Sequence, residues 1–203
     1  PSGIIEVEVE KETIPTALAS EYTPEALRMI EIFKEGTEPT ENSTRFEKLA
    51  NPTNGTYTNN GTQINLKWNG ISTPDAISTN YLQEYFNKYF DTSASKYYEQ
   101  RIAYNNNYIG SLGYNIYEKN SDGTLKYIGR TDNTNYTITN PSGGNVTYVI
   151  KSAYSLFTAN MSDGLQISVN TGIDSNIEDI VSPGQNEDND DNNNNNNNDY
   201  ELD

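Results

Sequence analysis

The sequence predicts a mainly β chain built on an antiparallel sandwich, and three observations carry that expectation. Residues 114–154 alternate apolar and polar side chains at Tyr114/Ile116, Tyr127/Gly129, Tyr136/Ile138 and Tyr148/Ile150. This is the period of strands with one buried face. Turn signals separate the runs: Ser121-Asp122-Gly123, Asp132-Asn133, and Asn140-Pro141 followed by Ser142-Gly143-Gly144. Asp-Gly supplies the positive φ of a tight hairpin, so 115–118 should fold back on 125–128. Upstream, residues 62–69 repeat the alternation with Ile64, Leu66 and Trp68. Short strands at this spacing point to a sandwich.

Taken in order, residues 4–10 (IIEVEVE) read as a strand with Ile5, Val7 and Val9 on one face. Thr23-Pro24-Glu25 reads as a helix start, with Thr23 as N-cap and Pro24 in the first turn. Leu27, Ile30 and Phe33 would follow on one side, and Gly36 would end the helix. A strand and one helix bury too little for a core of their own. This 1–50 segment must therefore rest on the sandwich or dock on a preceding domain.

Residues 51–61 (NPTNGTYTNNG) read as a linker. Trp68, the single tryptophan, sits late in the next strand and reads as a core plug. Residues 70–113 break the strand rhythm and are too long for an ordinary loop. They are expected to form an insertion with its own structure. A helix capped by Asp75 or Ser78 would run to about Phe90 and show Leu82, Tyr85, Phe86 and Tyr89 on its apolar face. A second helical or irregular piece would follow through Tyr97, Tyr98, Ile102 and Tyr104. Asp163-Gly164 then turns the chain into a last strand at 165–169. The sandwich domain thus spans 51–173. Residues 174–203 are an acidic, Asn-rich tail that cannot repay its ordering entropy and is expected to be disordered.

The 203 residues include no Cys and no His. Disulfides, thiolate zinc sites and imidazole acid–base chemistry are excluded by inventory. No apolar run approaches the ~20 residues of a membrane span, and no signal peptide opens the chain. The chain starts at Pro1, not at Met, and reads as a fragment whose export signal or anchor would lie upstream. The net charge of −16 is carried by the flanks. Residues 1–50 hold 11 acids against 5 bases, 51–173 hold 8 of each, and 174–203 hold 10 acids and no base. With no basic stripe, neither nucleic acid nor direct membrane contact is expected.

Few motifs suggest chemistry. Ser93-Ala94-Ser95-Lys96 matches the S-x-x-K of serine acyl-transfer enzymes, and Ser78-Thr79-Asn80 and Ser168-Val169-Asn170 match S-x-N. That chemistry also needs a K-[ST]-G strand beside the substrate. The nearest approach, Lys151-Ser152-Ala153, lacks the glycine, so the matches read as chance and no catalytic residue is assigned. Asp188-Asn189-Asp190-Asp191 lacks the glycine turn and closing Glu of a calcium loop, so no metal or other cofactor is expected. Tyrosine is the notable excess: 14 of 16 lie in 51–173. Tyr97, Tyr98, Tyr104 and Tyr108 are candidates for stacking on a ligand. The competing reading is a compositional bias that enriches Tyr and Asn together.

Trp68, Tyr114-Asn115-Ile116-Tyr117, Thr134-Asn135-Tyr136-Thr137-Ile138 and Thr147-Tyr148-Val149-Ile150 resemble the fibronectin type III pattern. The resemblance covers about 60–170 and departs from the family at the 70–113 insertion. It implies a fibronectin type III-like sandwich with Trp68, Tyr114, Ile116, Tyr136, Ile138, Tyr148 and Ile150 in its core.

Pro1-Ser2-Gly3-Ile4, Tyr22-Thr23-Pro24 and Phe33-Lys34-Glu35-Gly36-Thr37-Glu38-Pro39-Thr40 resemble the end of class A penicillin-binding proteins. Some members from low-GC Gram-positive bacteria carry a fibronectin-like module and an Asn-rich end there. This resemblance implies a non-catalytic, extracellular C-terminal region of a membrane-anchored peptidoglycan synthase. Its bifunctional glycosyltransferase and transpeptidase domains would lie upstream. The region would act as a spacer or, alternatively, as a carbohydrate- or protein-binding module working through the Tyr-rich insertion. Its partners would be the upstream transpeptidase domain and possible contacts with wall polymer or wall-synthesis proteins.

Overall fold

The alternation at the N-terminus becomes a two-stranded ribbon. In the computed structural model, which describes residues 3–90 and 95–172, β1 (Ile4–Glu10) pairs antiparallel with β2 (Arg28–Lys34). The register runs from Ile4↔Lys34 to Glu10↔Arg28. The helix expected after Thr23 is therefore corrected to a single 3-10 turn, Glu25–Leu27, followed by a strand. Two causes are visible. The Thr23 hydroxyl, which would have capped the helix, donates to Glu10 Oε2 at 2.9 Å. Seven residues of β1 also offer a complete ladder to Arg28–Lys34, whose Ile30 and Ile32 favour extended backbone. Long-range pairing thus outweighs the local helix signals.

The segment read as a linker is a strand as well. β3 (Thr53–Asn59) pairs with β4 (Gln63–Asn69), with a register shift between Thr53 and Thr56. Its inward position is Gly55, where a Cβ would lie 2.7 Å from Ile167 Cγ1 and 2.9 Å from Leu165 Cδ2. The opposite sheet supplies the apolar atoms here, so β3 folds without an apolar alternation of its own.

β4 also pairs with β7 (Asn135–Thr139), giving a three-stranded sheet of order β3-β4-β7. The facing sheet has the order β6-β5-β8-β9, built from β5 (Leu112–Lys119), β6 (Leu125–Thr131), β8 (Asn145–Tyr154) and β9 (Leu165–Asn170). All pairings are antiparallel. The β5–β6 hairpin closes at Asp122-Gly123, where Gly123 takes φ 86°. Asp122 Oδ1 accepts the amide and the hydroxyl of Thr124, which holds its carboxyl below the usual carboxylate range.

Between the sheets lie Ile64, Leu66, Trp68, Tyr114, Ile116, Ile138, Tyr148 and Ile150, with Tyr136 packed half-buried against them. Trp68 is 2% exposed and meets Tyr114 edge-on with ring centroids 5.3 Å apart. These seven strands in two sheets make an antiparallel sandwich of the fibronectin type III kind.

Two helices fill the insertion. The Asp75–Ile77 turn leads into α1 (Thr79–Phe90), whose first turn is capped by Ser78 Oγ accepting the Tyr81 amide at 3.2 Å. α2 (Ser95–Ile109) returns the chain to β5. Leu82 and Phe86, one turn apart on α1, bury against Tyr98 of α2. Further along α2, Ile109 joins Leu27, Phe46, Leu49, Ala76 and Tyr154 in a separate cluster. That cluster draws on the N-terminal segment, the insertion and β8 together. Residues 1–50 therefore rest on the insertion and one end of the sandwich, and the described residues form one compact unit. The acidic tail lies outside the described residues.

Candidate functional site

The junction between the N-terminal segment and the helical pair is organised by two acid–arginine pairs. The first is buried. Glu10 ends β1 with its side chain out of water, and its Oε1 lies 2.7 Å from Arg45 Nε. Arg45 is itself only 6% exposed and stacks its guanidinium over Phe46 at 5.1 Å. Burial lowers the Arg45 pKa, and the charge of Glu10 opposes that shift. The second pair joins Arg101 of α2 to Glu12, just beyond β1, and Arg101 also donates to the Glu12 carbonyl at 3.3 Å. Burial lowers the Arg101 pKa too, while its guanidinium lies 5.2 Å from the Tyr104 ring centre.

A groove follows these pairs between the 11–17 loop and the helices. Its narrower part, about 130 Å³, is lined by Arg45 and Arg101 and by Tyr81, Tyr85 and Phe86 of α1. Its wider part, about 460 Å³, is lined by Glu12, Ile14, Phe86, Tyr97, Gln100, Arg101 and Tyr104. Glu12, Phe86 and Arg101 border both parts. Burial pushes the Tyr85 hydroxyl up to about 12. Tyr81 and Tyr85 stack nearly parallel, with ring centroids 6.1 Å apart.

The four tyrosines singled out from the sequence occupy different places. Tyr97 is 43% exposed at the mouth of the groove, and Tyr104 lines its wide part. Tyr98 is 3% exposed inside the helical pair. Tyr108 packs with Tyr104 against the junction cluster, the two rings 5.1 Å apart. Sequence reasoning missed Arg45, Arg101, Glu10 and Glu12. The one available signal for Arg101 was its place in the stripe Tyr98–Arg101–Asn105–Ile109, a buried face at helical spacing.

Of the acyl-transfer motifs, Ser93 and Ala94 and the Ser95 side chain lie outside the described residues. Ser78 serves as the α1 cap, and the Ser168 hydroxyl meets Thr147 Oγ1 at 3.3 Å across β8 and β9. Among the described residues no cluster of three metal-ligating side chains occurs, and no helix is long and apolar enough to cross a membrane.

Residues 1–48 match the family model described as penicillin-binding protein 1A, C-terminal domain. No curated protein sequence matches the chain. Among solved structures, the chain is similar to FN3tt in a mutant form, at 19% identity and a TM-score of 0.36, over 60% of this chain and 93% of that one. It is also similar to the fibronectin type III domain of human fibronectin type III domain containing protein 3. There the identity is 14% and the TM-score 0.36, over 69% of this chain and 98% of that one. A third similarity is to domains A168–A170 of titin, at 9% identity and a TM-score of 0.38, over 71% of this chain and 36% of that one.

Proposed function

We propose that this chain is a non-catalytic, extracellular C-terminal region of a membrane-anchored penicillin-binding protein of the low-GC Gram-positive type. Its role is to position that peptidoglycan synthase in the wall. One observation carries this reading. Residues 1–48, which match the penicillin-binding protein 1A C-terminal family, are joined to the sandwich through a common buried cluster. Leu27 and Phe46 of that segment, with Leu49 directly after it, share the cluster with Ile109 of the insertion and Tyr154 of β8. The insertion works as a buttress that turns a flexible join into a fixed one.

The exposed face of the β1–β2 ribbon supports the same reading. Ile4, Ile30 and Ile32 lie on one side of the ribbon, 55%, 58% and 63% exposed, beside Glu6 and Glu8. An apolar strip on an otherwise acidic segment suits the preceding transpeptidase domain of the same polypeptide. The sandwich then projects from that domain at a set angle. Incubation of the purified chain with a fluorescent β-lactam tests the non-catalytic part. No covalent labelling is expected, and labelling at any serine would overturn it.

A further inference from the structure

We propose that the groove between the 11–17 loop and the helical pair binds a neutral saccharide chain. This goes beyond the positioning role and does not depend on it. The groove joins the two features that sugar rings require. Aromatic faces, which carry the negative side of a quadrupole, accept the C–H face of a pyranose. Tyr97, half-exposed at the mouth, supplies such a face, and Tyr104, with the Arg101 guanidinium over its ring, borders the wide part, whose 460 Å³ falls in the range of small-ligand sites. Beside them stand planar polar groups, the Arg101 guanidinium, the Glu12 carboxylate and the Gln100 amide, whose paired donors and acceptors match adjacent hydroxyls.

Charge decides the class of sugar. Arg101 is matched by Glu12 and Arg45 by Glu10, so the groove carries no unbalanced charge. A polyanion would have to break a formed ion pair to gain a guanidinium. A neutral chain can bind with both pairs intact, because each guanidinium and carboxylate keeps hydrogen-bonding capacity beyond its partner. Apolar peptide helices fit less well, since they need a broad apolar trough and this groove is crossed by the Glu12–Arg101 pair.

The test is calorimetric titration of the full chain with chitohexaose, cellohexaose and the polyanion polygalacturonate. The expected result is saturable binding of a neutral hexasaccharide that changes by less than about twofold between ~50 mM and ~500 mM salt, since exposed charge contributes little. Tyr97→Ala should weaken it about tenfold, the scale of a lost stacking contact, and Gln100→Ala should weaken it too. Tyr57→Ala, at an exposed ring on β3, should leave it unchanged. Tyr97 and Gln100 are exposed, so both variants keep the fold even where a change at the more buried Tyr104 does not. Three results would each overturn the proposal. They are no saturable binding of either neutral chain, binding confined to polygalacturonate and lost at high salt, and binding indifferent to Tyr97→Ala.

Discussion

Glu10 and Arg45 meet 2.7 Å apart with both side chains buried, although 34 intervening residues carry the chain out through β2 and back. The other oxygen of the carboxylate accepts a hydrogen bond from Thr23, so one acid gathers the end of β1, the turn before β2 and the segment leading to the sandwich. A buried pair of this kind adds little net stability over an apolar substitute, but removing one partner strands the other charge.

That asymmetry gives the first prediction. Arg45→Met alone should cost roughly 3–5 kcal/mol in urea denaturation, because Glu10 is left charged and unpaired in the interior. The double change Glu10→Leu with Arg45→Met should recover a large part of the loss. If the single and double variants are equally destabilised, the pair is not acting as a unit.

The sandwich core gives the second. Trp68 is enclosed between the sheets against Tyr114, so Trp68→Ala should cost roughly 3–5 kcal/mol, as large-to-small core changes do. A loss under about 1 kcal/mol in the same urea titration would place the ring at a surface, as a stacking group for a ligand.

The sandwich was legible in the sequence because each of its apolar strands alternates and each hairpin has its own turn residues. The Asp122-Gly123 hairpin is the clearest case, since its signal is entirely local. β3 was not legible: its inward site is Gly55, and the packing atoms belong to Leu165 and Ile167, more than a hundred residues later. β2 was misread because a capping threonine, a proline and helical spacing coincide at 23–33, while the Glu10 that captures Thr23 lies thirteen residues earlier. For the groove, tyrosine enrichment pointed to the right helices. It could not separate Tyr97, at the mouth, from Tyr98, one residue on and turned into the helical pair. The acid–arginine pairs of the junction are contacts between distant segments and leave no periodic trace.

A third prediction concerns alkaline pH. Burial raises the hydroxyl pKa of Tyr85 and Tyr148 to about 12, and that of Tyr154 further. An unfolded tyrosine titrates near 10. A folded-state value above the unfolded one means stability that is complete below about pH 10 and is lost as pH rises toward about 12. With no His and no Cys, stability should be flat from about pH 6 to 9. Phenolate absorbance from these three rings should then appear only together with loss of near-UV dichroism. Smooth titration of all tyrosines with the fold intact would contradict the burial of these three.

The central claim is that the segment matching the penicillin-binding protein 1A C-terminal family is held rigidly to the sandwich. Because the chain has no native cysteine, Glu6→Cys on β1 and Lys126→Cys on β6 place two spin labels and no others. Double electron–electron resonance between them reads the join directly. The account predicts a single narrow distance distribution that broadens when Phe46→Ala or Leu49→Ala opens the shared cluster. A broad distribution in the unaltered pair, unchanged by either substitution, would contradict it.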